Sequence, residues 1–285
     1  MKFNLDLYKD WLSYMQAELL SWGYSPTDLK AGELPHQFFN AVAKRIMPRK
    51  RVLYISDTFS CPIQFRPGWD KIKDDVLDGN DINPHLSKLV DKIDYVDATL
   101  SDFGVHHLHL GSNLNGKYID RTGPLLFALV TDAEFYAVGI YQHGAWVDTD
   151  IIEVIHRNWP QAISNHRLIG IGPDSMTDVQ RKAVRKKRAN AFVTVQDGTV
   201  YGMIGGGQTS SGYTITSVIK TDIISTRLKE YSANFHLNEP IIKSVIEDRG
   251  QVVLDEVTVN LHVESDKYYA YFPDYGFYIP LQIQA

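Results

Sequence analysis

The stretch Val105-His106-His107-Leu108-His109-Leu110, with the runs at 124–131 (PLLFALVT) and 135–141 (FYAVGIY), decides how this chain is read. Polar and apolar residues alternate at 105–110, and aliphatic, aromatic and β-branched residues fill the other two runs, which is the pattern of strands. Asp132-Ala133-Glu134 between those runs is short enough for a hairpin. Residues 105–143 therefore read as three consecutive antiparallel strands. Side chains alternate along a strand, so His107 and His109 share one face while Leu108 and Leu110, with His106, take the other. Imidazoles two positions apart lie roughly 6–7 Å from each other, close enough to reach one phosphodiester or one metal ion. Arg121 stands just before the second strand and His143 ends the third. If the strands are neighbours, His107, His109, Arg121 and His143 converge at one rim.

On the N-terminal side, Leu5, Leu7, Trp11, Leu12, Met15 and Leu19 recur at helical spacing, and Gly23 stops the run. A second helix is expected over 34–47 and a strand over 51–56. Residues 63–96 read as helical pieces broken by Pro67, Gly68, Gly79 and Pro84. On the C-terminal side a helix is expected over 148–157, capped by Asp148 or Thr149. Residues 170–176 (GIGPDSM) are the best linker, so the domain boundary is placed there, between 1–170 and 171–285. A basic helix follows at 177–188. Residues 191–219 alternate like a hairpin whose tip is Gly205-Gly206-Gly207; 221–231 and 239–248 read as helices. Residues 252–263 and 267–281 read as two long strands around Glu264-Ser265-Asp266. The class is α+β: an antiparallel sheet core with N-terminal helices and a β-rich C-terminal region.

The composition sets outer bounds. With 285 residues, 44% hydrophobic and 22% charged, the chain can bury a core of one large or two ordinary domains. A net charge of −5 argues against a surface coated with cations, though not against a local basic patch. One cysteine, Cys61, allows neither an internal disulfide nor an all-cysteine zinc site. With no run of 18 apolar residues and no signal peptide, a cytoplasmic protein without a membrane segment is expected. The triple glycine lacks the Lys-Ser/Thr of a P-loop and the strand–helix setting of a dinucleotide site, so no cofactor is expected.

The histidine–arginine set suits RNA cleavage without a metal. That reaction needs a base for the 2′-hydroxyl, an acid for the departing 5′ oxygen, and a cation for the phosphorane. Histidine fits either proton role, and arginine offers paired hydrogen bonds to phosphate. Six of the eight residues at 181–188 are basic (Arg181, Lys182, Arg185, Lys186, Lys187 and Arg188), which makes this the natural place for RNA to dock.

The segment His107-Leu108-His109-Leu110-Gly111, then Arg121 before Leu125 to Val130, then Phe135 to Ile140 and His143, resembles the core of RelE-type toxins. That resemblance implies a small α+β ribonuclease related to barnase and colicin-type toxins, in a toxin–antitoxin or phage-defence setting, with RNA and an antitoxin or inhibitory protein as partners. By position, His107 and His109 fall where the family has its first-strand basic pair, Arg121 at its phosphate-binding arginine and His143 at its late basic residue. Three departures stand out. The first-strand pair is histidine rather than lysine or arginine, the loop 111–120 is longer, and residues 1–100 and 171–285 have no counterpart.

Two other readings use the same residues. His107, His109 and His143 could supply three nitrogens to zinc in a metallohydrolase. The fold could also serve binding or regulation without chemistry. Tyr268, Tyr269, Tyr271, Tyr275 and Tyr278 crowd the C-terminal strands, as in an interface that a homo-oligomer would use. Trp146 and Trp159 read as packing anchors.

Overall fold

The computed structural model describes every residue except 26–28, 31, 143–148, 174–175 and 284–285. Contacts divide it into two units, one formed by residues 1–39 with 217–285 and the other by residues 40–216. The division therefore falls elsewhere than the expected 170/171 boundary. The N-terminal segment packs with the C-terminal one through long-range apolar contacts, which local composition does not register. His143, Trp146 and Asp148 lie outside the described residues.

In the unit made of the two ends, strand β1 (Lys2–Asn4) leads into helix α1 (Leu7–Ser21), which Asp6 caps by accepting the Lys9 N–H. Leu7, Trp11, Met15 and Leu19 are buried along one face of α1, as their spacing requires. Helix α2 spans Leu34–Lys44 and crosses the division between the units.

The central unit opens with β2 (Val52–Ile55) and α3 (Arg66–Asp78), followed by the six-residue helix α4 (Ala98–Phe103). Next come β3 (Val105–His109), the small hairpin β4 (Leu114–Asn115) and β5 (Tyr118–Ile119), then β6 (Leu125–Val130) and β7 (Glu134–Tyr141). The expected antiparallel trio is present: β3 pairs with β6 and β6 with β7, with an irregularity between Phe127 and Ala128. Strand β2 adds to the far edge of β7 in parallel, giving the order β2-β7-β6-β3. The chain continues through α5 (Asp150–Asn158), β8 (Arg167–Leu168), α6 (Asp178–Lys186), β9 (Val193–Thr194) and β10 (Val200–Tyr201).

Both faces of this sheet are covered. Leu108, Leu110, Leu126, Ala128, Phe135 and Ala137 pack with Trp69, Ile72 and Val76 of α3. Val105, Leu125, Phe127, Leu129, Tyr136 and Val138 pack with Ile151, Ile152 and Ile155 of α5 and with Trp159. Coverage on two sides explains why β6 and β7 read as continuous apolar runs. It also encloses the histidines of β3, every residue of which is buried.

The triple glycine is no hairpin tip. The hairpin there is β9–β10, turning at Gly198, and the glycines instead press against the end of α4. A Cβ at Gly205 would sit 1.7 Å from the Leu100 carbonyl oxygen, and the Gly207 N–H donates to the Ser101 carbonyl at 2.8 Å. Only glycine permits that approach.

The C-terminal region carries α7 (Ile215–Asn234) and α8 (Glu239–Asp248) before its strands. The strand pattern expected up to 219 therefore gives way to helix at Ile215. Strand β11 (Glu256–Thr258) pairs in parallel with β1. Strands β12 (Asn260–Glu264), β13 (Lys267–Phe272) and β14 (Phe277–Leu281) form an antiparallel meander, so the second expected long strand splits at 273–276. Ser265 and Asp266 form the first turn at positive φ.

His106, enclosed on the Leu108 face, is held by burial at a pKa of about 4, against an ordinary value near 6.5. Between those values the unfolded chain binds a proton that the folded chain refuses, so stability falls as pH drops through that window, by about 3 kcal/mol at full protonation. His106→Leu should flatten the acid side of a urea-midpoint series taken from pH 7 to pH 4. A wild-type slope in the variant would refute this assignment.

Candidate active site

A cavity of about 560 Å3 opens in the central unit where β3, the segment before α4, and α6 meet. Its lining includes His107, His109, Arg121, Lys182, Arg185 and Lys186. These six come from two successive inward positions of one strand, a residue just after the β4–β5 hairpin, and successive turns of one helix. The alternation of β3 puts both imidazoles on the cavity side, and the hairpin built from the long 111–120 loop delivers Arg121 to its rim.

The two histidines are held in opposite ways. The backbone N–H of Thr122 donates to His109 Nδ1 at 3.1 Å. A nitrogen that accepts cannot carry a proton, so the neutral His109 ring keeps its proton on Nε2. His107 Nδ1 instead lies 3.5 Å from Asp97 Oδ2. With its proton turned toward that carboxylate, the His107 ring presents the Nε2 lone pair to the cavity. His107 thus presents an acceptor and His109 a donor. Their side chains are well covered, with His107 10% exposed and His109 3% exposed as a residue.

Asp97 serves two elements at once. It caps α4, its Oδ1 accepting the N–H groups of Thr99 and Leu100 at 3.0 Å, while Oδ2 faces His107. The carbonyl of His109 accepts from Nδ1 of the buried His85 at 2.7 Å, and burial pushes the His85 pKa down, keeping that ring neutral. Leu110 N–H donates to Thr122 Oγ1, which in turn donates to the Pro124 carbonyl. The end of β3 is therefore tied from both sides.

The basic helix divides into structural and cavity-facing members. Arg185 lines the cavity, is ion-paired with the buried Asp102 of α4, and lies over the Phe103 ring at 4.5 Å. Burial raises the Asp102 pKa, and the Arg185 guanidinium opposes that rise. Arg181 is buried and donates to the Phe192 carbonyl at 2.8 Å, a packing position rather than a docking one. Lys182 and Lys186 are exposed cavity-lining cations, whereas Lys187 and Arg188 are exposed beyond the helix end and do not line the cavity.

The structure thus brings together six of the sequence-derived candidates and leaves Arg181, Lys187 and Arg188 apart; His143 falls outside the described residues. Among the described residues no group of three His, Cys, Asp or Glu side chains is placed to hold a metal ion. Asp97, His85, Thr122 and Asp102 were not anticipated. Asp97 alone had a local signal, an aspartate directly before the helical run Ala98–Phe103. Among the described residues no helix is long and apolar enough to cross a membrane.

No protein-family model, curated protein or solved structure matches this chain.

The buried ion pair is what docks α6 against α4. Asp102→Asn leaves Arg185 buried without its counter-charge and should cost about 3–5 kcal/mol in chemical denaturation. Asp102→Leu combined with Arg185→Met should recover most of that loss. A single variant as stable as the wild type would show that the pair does not anchor the helix.

Proposed function

We propose that this cavity is the active site of a metal-independent endoribonuclease of the toxin-like kind. The observation that carries the reading is that His107 and His109 line one cavity from one strand face, with Asp97 Oδ2 3.5 Å from His107 Nδ1 and the Thr122 N–H donating to His109 Nδ1, beneath a rim of cations. RNA cleavage by its own 2′-hydroxyl calls for an acceptor, a donor and positive charge around one phosphate.

In this reading His107 Nε2 takes the proton of the 2′-hydroxyl, with Asp97 holding the ring in the required tautomer. The 2′ oxygen attacks phosphorus, the O2′–P bond forms and the P–O5′ bond breaks, leaving a 2′,3′-cyclic phosphate. His109 donates from Nε2 to a phosphorane oxygen. Its Nδ1 is committed as an acceptor and its Nε2 proton goes to the phosphorane, so the proton for the 5′ oxygen comes from water. Arg121, Lys182 and Lys186 hold the phosphate by charge and hydrogen bonding. Arg185 acts indirectly, by fixing α6. The enclosure of both imidazoles lets the surroundings strengthen each hydrogen bond they make. A cytoplasmic setting, RNA as substrate and an antitoxin or inhibitory partner follow from the same reading.

The test is purified protein incubated with single-stranded RNA in EDTA. Cleavage is expected to leave cyclic phosphate ends. Removing a general base lowers rate by about 10²–10⁴-fold, which is the loss expected for His107→Ala. Asp97→Asn should lose a substantial part of that while still folding, because asparagine retains an oxygen to cap α4. Arg121→Ala should weaken cleavage more at low salt than at high salt, because salt screens the exposed cation. Undiminished cleavage by His107→Ala would remove the site assignment. Tight RNA binding without cleavage would favour a binding protein on the same fold.

A further inference from the structure

A second cavity of about 230 Å3 lies in the central unit on the other side of Val96 and Asp97, which line both cavities. Asn40, Lys44, Ser101, His106, Thr214 and Thr216 contribute most of its polar lining. Asn40 and Lys44 stand four residues apart on α2 and so share a face of the helix. Both are deeply covered, at 2% and 3% exposure.

The orientation of the Asn40 amide is fixed by its neighbours. Asn40 Oδ1 accepts from the Thr214 backbone N–H at 3.2 Å and from Thr214 Oγ1 at 3.1 Å. A backbone N–H can only donate, so the atom facing it is the oxygen and the amide cannot be flipped. This turns Nδ2 away from Thr214, and that buried donor has no hydrogen-bond partner among the described residues. Buried donors are normally satisfied, and one left unmet loses its hydration with nothing in return. One helical turn further on stands the ammonium of Lys44, which donates to the Lys92 carbonyl at 2.7 Å. Burial lowers the Lys44 pKa to about 8, with Arg45 adding to the fall and Asp94, Asp97 and Asp91 opposing it, so it is charged at neutral pH.

The other groups do not supply the missing acceptor. The carboxylate of Asp97 is engaged by the N-terminus of α4 and by His107. Ala43 and Thr216 are exposed members of the lining and mark its mouth. The void has room for about seven waters at their liquid volume, enough for a small molecule.

We propose that this cavity binds a small oxyanion, a phosphate or a carboxylate, that accepts hydrogen bonds from Asn40 Nδ2 and charge from Lys44. The site is separate from the histidine cavity and does not depend on the function proposed for it.

The probe is inorganic phosphate, with acetate as a parallel arm to tell phosphate from carboxylate recognition, followed by calorimetry at neutral pH. Wild-type protein should bind one of the two saturably. Asn40→Asp keeps an oxygen for Thr214 and replaces the orphan donor with a charged acceptor; it should weaken binding at least tenfold. Lys182→Ala with Lys186→Ala, which alters only the other cavity, should leave the affinity unchanged. No saturable binding, or binding unaffected by Asn40→Asp but lost in the lysine double variant, overturns the proposal. Should Asn40→Asp fail to fold, Ala43→Phe at the mouth takes its place; wild-type affinity in that variant overturns the proposal equally.

Discussion

The candidate active site depends on the two carboxylates of one six-residue helix. Asp97, before the first turn of α4, caps the helix and faces His107. Asp102, in its last turn, is buried against Arg185 and so holds the basic helix α6 in place. A base on a strand and a cation rim on a distant helix are thereby tied to the same short element. The glycine triplet lets the chain press directly on the back of that element, where any side chain at Gly205 would collide with a carbonyl. Displacing α4 would disturb the imidazole and the cations together.

Coverage of the sheet on both faces is the second constraint. It buries β3 entirely, so its histidines cannot be indifferent surface polarity: each must be neutral, bonded or paired. His106 meets that demand by staying unprotonated, His109 by accepting the Thr122 N–H, and His107 by facing Asp97. These are three different solutions within four residues, and the difference between the last two gives the cavity a donor and an acceptor side by side. The same enclosure separates the histidine cavity from the smaller one beside Asn40, with Val96 and Asp97 as the shared wall.

Strand alternation made the facing of His106, His107 and His109 legible, because the period of two is a property of the backbone alone. The β6–β7 hairpin was legible for the same reason, and the helix over 239–248 from its apolar spacing. Helix α4 was not read, since six residues with few apolar side chains give too little periodicity. The start of helix α7 reads as strand because its β-branched residues Ile215, Thr216, Val218 and Ile219 suit either structure, and tertiary packing decides between them. The parallel partners of β1 and β7 were invisible, because pairing across long separations leaves no local pattern.

By itself, then, the sequence determined which residues alternate, where turns can form, and that a histidine pair, an arginine and a run of cations were present for phosphate chemistry. Those properties follow from backbone geometry and side-chain type. Only the tertiary structure decided that His107, His109 and Arg121 share a cavity with Lys182, Arg185 and Lys186, that Arg181 is spent on packing, and that Nδ1 faces a carboxylate in His107 but accepts an amide N–H in His109. Those outcomes depend on which distant carboxylate, amide or carbonyl arrives beside each group, and that is fixed by burial of the whole core.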